Sequence, residues 1–151
     1  MTTASRLVCA GCGTEIPAQT PIAWACPAAQ AGDDNDHVLR RNLDPALLPA
    51  RADETEAPNP FVRYRHRFHS YQVARAAGWS DARFVELVRA LDEAIAEVVC
   101  CGFRTTTLVR SAGLDADLGL GGGGVLVKDE TGNVSGSHKA RHLMGVMLAL
   151  E

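Results

Sequence analysis

Lys128-Asp-Glu-Thr-Gly-Asn-Val-Ser-Gly-Ser-His-Lys-Ala-Arg141 is the stretch on which the reading of the fold turns. Ahead of it, Val125-Leu126-Val127 is an apolar run of strand type, and after it residues 140–150 carry a helical pattern. Thr131, Gly132 and Asn133 make a polar turn, and Ser135-Gly136-Ser137 a second, tighter one. The order predicts a strand–loop–helix passage with Lys139 where the helix opens. Unsatisfied peptide N–H groups and the positive end of the helix dipole gather there. That field disfavours a further cation, so a lysine suits the position best as an amine that acts as a nucleophile. The plainer alternative is a solvent-facing lysine in a first helical turn.

Lys128-Asp-Glu, Asn133, Ser135-Gly136-Ser137 and Lys139 together resemble the cofactor-lysine signature of the fold type II pyridoxal-phosphate enzymes. That group holds threonine synthase, the serine and threonine dehydratases, cysteine synthase and the tryptophan synthase β chain. Val134 stands where the signature commonly has Pro, and His138 where it commonly has Phe. His before the lysine is similar to the tryptophan synthase β variant. Upstream, Thr105-Thr-Thr-Leu-Val-Arg110 resembles the Thr-Pro-Leu segment that opens the catalytic fold, with Thr107 in the proline's place. The likeness covers about residues 102–151.

The resemblance implies an α/β fold class in which residues 102–151 begin an incomplete fold type II domain. It implies pyridoxal 5′-phosphate held by Lys139 as an imine, with an amino acid as substrate and the freed amine removing its α-proton. His138, Ser137, Ser135 and Asn133 would bind the cofactor, the serine turn and His138 at its phosphate. The expected reaction is β-elimination or replacement, as in a threonine synthase-like or dehydratase-like lyase of amino-acid metabolism. A homodimer is expected at full length. The resembled enzymes are longer and grip the cofactor with elements beyond the lysine, whereas this sequence runs twelve residues past Lys139. It therefore reads as the N-terminal part of such an enzyme, from a truncated gene, a split gene or an incomplete sequence. Alone, it is expected to bind cofactor poorly and to be inactive.

The 151 residues are 46% hydrophobic with net charge −3, an ordinary globular composition long enough for a sizeable core. No apolar run approaches the roughly 20 residues of a bilayer span, and the first six residues lack a secretory signal's apolar stretch. A cytoplasmic location with no membrane partner is the expectation, and there five cysteines should be reduced thiols or metal ligands.

Residues 1–43 read as a small zinc-ribbon-like segment. Cys9-Ala-Gly-Cys12-Gly13 is a knuckle whose turn aims two thiolates at one ion, with Gly13 permitting the turn. Cys26-Pro27 begins a second arm, but position 29 is Ala where a fourth ligand would stand. The pattern resembles the zinc-ribbon start of some threonine synthases. His37, Asp33 or Asp36 could complete a zinc site with Cys9, Cys12 and Cys26. The alternative is a knuckle that keeps its turn and binds nothing. A redox Cys-x-x-Cys lacks the strand–helix surroundings it needs. An EF-hand loop at Asp33, Asn35 and His37 lacks its glycine and late glutamate.

Asp36 is expected to cap a short helix through Leu43, and the proline- and charge-rich residues 44–60 to form a linker. A helical segment, 61–101, follows. Its first run ends near Gly78, and its arginines around Tyr64 and Phe68 read as a solvated face rather than a nucleic-acid surface, the net charge being acidic. Ser80 caps a second helix running to about Cys100, with Gly102 as its stop signal. Its apolar stripe is Phe84, Leu87, Val88, Leu91, Ile95, Val98 and Val99, with Arg83, Glu86, Arg89, Asp92 and Glu93 mostly outside. Cys100 and Cys101 read as small buried hydrophobes. Gly119–Gly124 reads as a flexible turn, since no Lys-Ser/Thr and no helix follow to make a phosphate loop. A second class of function stays open, a non-catalytic zinc-knuckle binding or regulatory module.

Overall fold

The computed structural model describes residues 4–17, 20, 23–49, 58–120 and 124–151. Residues 50–57 of the predicted linker and the middle of the glycine run (121–123) lie outside these. The architecture is mixed α/β. Among the described residues, no helix is long and apolar enough to cross a membrane.

An antiparallel sheet with strand order β2–β1–β3 opens the chain. β1 (Ser5–Cys9) is central, β2 (Glu15–Ile16) folds back on it, and β3 (Leu39–Leu43) lies along its other edge. The β1–β2 turn is closed by Cys9 N–H donating to Thr14 O at 2.9 Å and Gly13 N–H to Cys9 O at 3.0 Å. Gly13 sits at φ +75, where a side chain is strained.

β3 corrects the helix expected over 36–43. The five pairs from Cys9↔Leu39 to Ser5↔Leu43 satisfy its backbone through the ladder with β1. Long-range pairing of that extent overrides a single capping signal. Asp36 instead packs its main-chain carbonyl on Gly11, where a Cβ would come within 2.5 Å of the oxygen.

The first helical run is broken. α1 (Pro60–Arg63) is capped by Asn59, whose side chain accepts from Phe61 N–H at 2.8 Å. A 3-10 turn at Arg65–Arg67 separates it from α2 (His69–Ala76), with Phe68 in extended conformation between them. The break stacks Phe68 on Phe61 at 5.4 Å between ring centroids. It also sends Arg65 inward. There Arg65 donates to Asp81 at 2.6 and 3.1 Å and to Val62 O at 2.8 Å. Arg65 is 6% exposed, so it does not belong to the solvated face expected of this run. The bidentate carboxylate offsets the cost of burying its charge.

α3 (Asp81–Val99) starts where expected, with Ser80 Oγ accepting from Arg83 N–H at 3.1 Å. Phe84 and Val88 face the core, while Val98, at the end of the predicted stripe, is 81% exposed. The helix stops at Cys100 in the left-handed conformation, φ +60. That reversal leaves Cys100 exposed and Cys101 half-buried, correcting their reading as buried hydrophobes. Asp92 likewise does not stand outside. It accepts from Asn59 Nδ2 at 2.8 Å and Phe103 N–H at 2.7 Å, fastening α3 to the segments on either side.

Beyond Phe103, β4 (Leu108–Arg110) pairs antiparallel with β5 (Leu126–Lys128), and α4 (Ala112–Asp117) lies between them in the chain. α5 (Lys139–Leu150) then lays Ala140, Met144 and Leu148, four residues apart, against the helices. One core results, joining Phe61, Tyr71, Phe84 and Val88 to Phe103, Val134 and the α5 face. Phe84 is its largest fully buried side chain and meets Tyr71 edge-on at 5.0 Å. Phe84→Ala is expected to lower the unfolding free energy by about 3–5 kcal/mol in urea melts, the usual cost of deleting a buried aromatic.

Candidate metal centre and lysine-bearing loop

Cys9, Cys12, Cys26 and His37 converge although His37 is 28 residues from Cys9. The fold brings them together in three steps. Cys9 ends β1, the glycine turn carries Cys12 back over it, and the ladder with β3 delivers His37 just before Leu39. Ala10 N–H donates to Val38 O at 2.8 Å, fixing that approach. The four donor atoms lie within 4.8 Å of one another. Cys12 Sγ is 3.6 Å from Cys26 Sγ, and Cys9 Sγ is 3.4 Å from His37 Nδ1. A tetrahedral zinc with ordinary bond lengths would set those edges at about 3.8 and about 3.6 Å. The group can hold a metal ion, and the donor set is that of a structural zinc site.

Electrostatics agree with a cationic guest. Thr14 beside it brings the Cys12 thiol down to about 6, within reach of the thiolate form a metal requires. Burial pushes Cys26 up. Hydrogen bonding to Asp33 and then Cys9 raises His37 to about 9 in the metal-free chain, so an ion must displace protons here. Of the three fourth-ligand candidates, His37 joins the cluster. Asp33 lies behind its ring at 2.6 Å, and Asp36 is held at Gly11 by its main chain.

The lysine-bearing loop is the strand–loop–helix passage expected. β5 ends at Lys128, Asp129 closes the turn by accepting from Thr131 N–H at 2.9 Å, and Lys139 is the first residue of α5. Ser135 and Gly136 both take left-handed φ, +57 and +58, which folds the serine turn tightly under the helix start. Ser137 Oγ accepts from Lys139 N–H at 3.2 Å, and Asn133 Nδ2 donates to Ser137 O at 3.0 Å. Asn133 is 3% exposed, and its Oδ1 is buried without a hydrogen-bond partner among the described residues. Ser135, His138 and Lys139 are on the surface, and Ser137 is half-buried.

The sequence contains two lysines among fifteen basic residues, a signal that the motif alone does not bring out. Lys128 is occupied, with its Nζ donating to Thr106 Oγ1 and, at 2.6 Å, to Thr106 O, and lying 3.4 Å from Glu130. Lys139 Nζ has no acceptor among the described residues. Around the loop, Glu130 accepts from Arg141 Nε at 2.8 Å and Thr106 Oγ1 at 2.5 Å, while Arg104 donates to Gly132 O at 2.9 Å. These contacts brace the turn between the hairpin and α5.

Arg141, and after it Thr106, holds the Glu130 carboxyl down at about 2. A group whose pKa is depressed on folding stabilises the fold above its unfolded value, near 4.3, and that contribution fades as pH falls towards the folded one. The unfolding midpoint should therefore drop between about pH 4.5 and 2 in the native chain, and Glu130→Gln should flatten the drop. Chemical melts across that window check this.

No protein-family model matches the chain, and no curated protein or solved structure was found to be similar to it.

Proposed function

We propose that this chain carries the N-terminal zinc knuckle and the cofactor-lysine loop of a pyridoxal-phosphate-dependent enzyme of amino-acid metabolism, of the threonine synthase or dehydratase kind. The observation that supports this most is the contrast between the two lysines. One is bound into the hairpin, and the other, at the mouth of α5 above the serine turn, has no acceptor among the described residues. The residues present fit the cofactor. A phosphate can be met by the Ser135–Ser137 turn and His138 at a helix start, where N–H groups face outward. Asn133 Oδ1, without a donor among the described residues, is an acceptor open to one.

Bound there, pyridoxal phosphate supplies an electron sink for charge developing at the substrate α-carbon. The chain's own part is to hold the cofactor by Lys139 and its phosphate by the serine turn, and to take the α-proton at Lys139 Nζ. In the N-terminal group, Cys9, Cys12, Cys26 and His37 would bind zinc as a structural ion, since all four positions are filled by protein donors. The test is a pyridoxal-phosphate titration of the full-length gene product, followed by cofactor absorbance. Uptake in the native protein and its loss in Lys139→Ala support the reading, and no uptake refutes it. The four-donor cluster favours a second reading, a non-catalytic metal-knuckle module, which would be selected by metal binding without cofactor uptake.

A further inference from the structure

The N-terminal group has a feature that zinc binding alone does not require. His37 is gripped on both ring nitrogens. Its Nδ1 faces Cys9 Sγ at 3.4 Å, and its Nε2 is 2.6 Å from Asp33 Oδ2. The His37 side chain is 9% exposed and the Asp33 side chain 23%, so the ring is the more covered partner while Asp33 stands at the surface. Asp33 is itself aimed, because its Oδ1 accepts from Asn35 N–H at 2.9 Å. Asp36, pressed on Gly11, and Val38, bound to Ala10, anchor the same loop to the knuckle turn.

Resting on the reading of this group as a zinc site, we infer that Asp33 is a positioning residue that selects Nδ1 of His37 as the fourth ligand atom. A neutral imidazole carries one proton on its two nitrogens. A carboxylate against Nε2 keeps the proton there and leaves the Nδ1 lone pair free for the ion. The same contact fixes the ring plane and raises the basicity of the ligating nitrogen. Three thiolates with one imidazole, all supplied by protein, suit zinc better than harder oxygen-seeking cations. His37, aimed by Asp33, supplies the ligand that position 29 lacks, and the Asp33–His37 loop completes the arm that Cys26 begins.

The full chain is purified free of metal and titrated with zinc against a competing chelator, and separately with cobalt(II) as a spectroscopic probe. The native protein should bind one zinc and give an intense tetrahedral cobalt spectrum with sulfur charge-transfer bands. Asp33→Ala should weaken zinc binding by about 10–100-fold while leaving that spectrum unchanged, because the four ligands remain. Asp33→Asn, whose amide oxygen still accepts from Nε2–H, should recover part of the loss. His37→Ala should change the cobalt spectrum itself. Long-range proton–nitrogen NMR of the zinc form should show His37 metallated at Nδ1 and protonated at Nε2. The inference fails if Asp33→Ala binds zinc as tightly as the native chain, or if NMR finds Nε2 metallated. It also fails if Asp33→Ala alters the cobalt spectrum as His37→Ala does, which would make Asp33 a direct ligand. A native chain that binds neither ion removes the underlying metal reading instead, a result separable from all of these.

Discussion

Stripping metal from the chain with a strong chelator is expected to melt the β1–β2–β3 sheet while the helical core stays folded. The sheet's strands have five, two and five residues, and the buried side chains there are few: Ala4, Ser5, Cys9, Ile16 and Cys26. A unit of about 40 residues seldom buries enough apolar surface to hold itself together without a metal or disulfide. Its cysteines are free thiols, so an ion is the available staple. Structural zinc contributes about 10–16 kcal/mol of apparent binding free energy, far more than so small a sheet supplies from packing. The core from Phe61 to Leu148 has its own aromatic cluster, and none of its buried members lies in the sheet. The link between the two is local, with Ser5 Oγ 3.0 Å from His69 Nδ1 and Arg41 donating to Arg67 O at 2.6 Å. Hydrogen exchange read by mass spectrometry should lose protection over residues 5–43 and keep it over α3. Protection of the sheet unchanged after complete metal removal would show that the ion is not what holds it.

Replacing Lys139 should have the largest effect on chemistry. If its amine takes the substrate α-proton, Lys139→Ala in the full-length gene product should slow α-proton exchange of L-serine or L-threonine in heavy water by about 10²–10⁴-fold. Lys139→Arg should be as slow, since a guanidinium stays protonated and cannot condense with an aldehyde. Lys128→Arg should retain most of the exchange, because Lys128 already serves the hairpin through Thr106 and Glu130. Proton NMR of the amino acid measures this directly, without knowing which reaction follows. Equal rates in the Lys139→Ala and native proteins would dismiss the role.

Local signals in the sequence were reliable where the structure depends on local chemistry. Ser80 caps α3, Val125–Val127 leads into β5, and Lys139 opens α5, each set by a cap, an apolar run or a turn within a few residues. What was illegible depended on distant partners. The Asp36–Leu43 stretch carries a helix cap signal, yet β1, some thirty residues away, draws it into a ladder. Arg65 has the look of a solvated cation until Asp81 comes to meet it. Asp92, placed on the polar side by periodicity, is needed by Asn59 and Phe103. The metal cluster was legible for its three cysteines, whose spacing is a local motif. Which of three residues completed it was not, because that choice rests on the register of β3 against β1.

Borohydride reduction in the presence of pyridoxal phosphate, followed by peptide mapping, tests the central claim most directly. Within this sequence a lysine tag can fall only on Lys128 or Lys139, so peptide mapping separates the two directly. The account predicts a single cofactor-modified peptide bearing the tag at Lys139. A tag at Lys128, or none on either lysine in the full-length gene product, would contradict it.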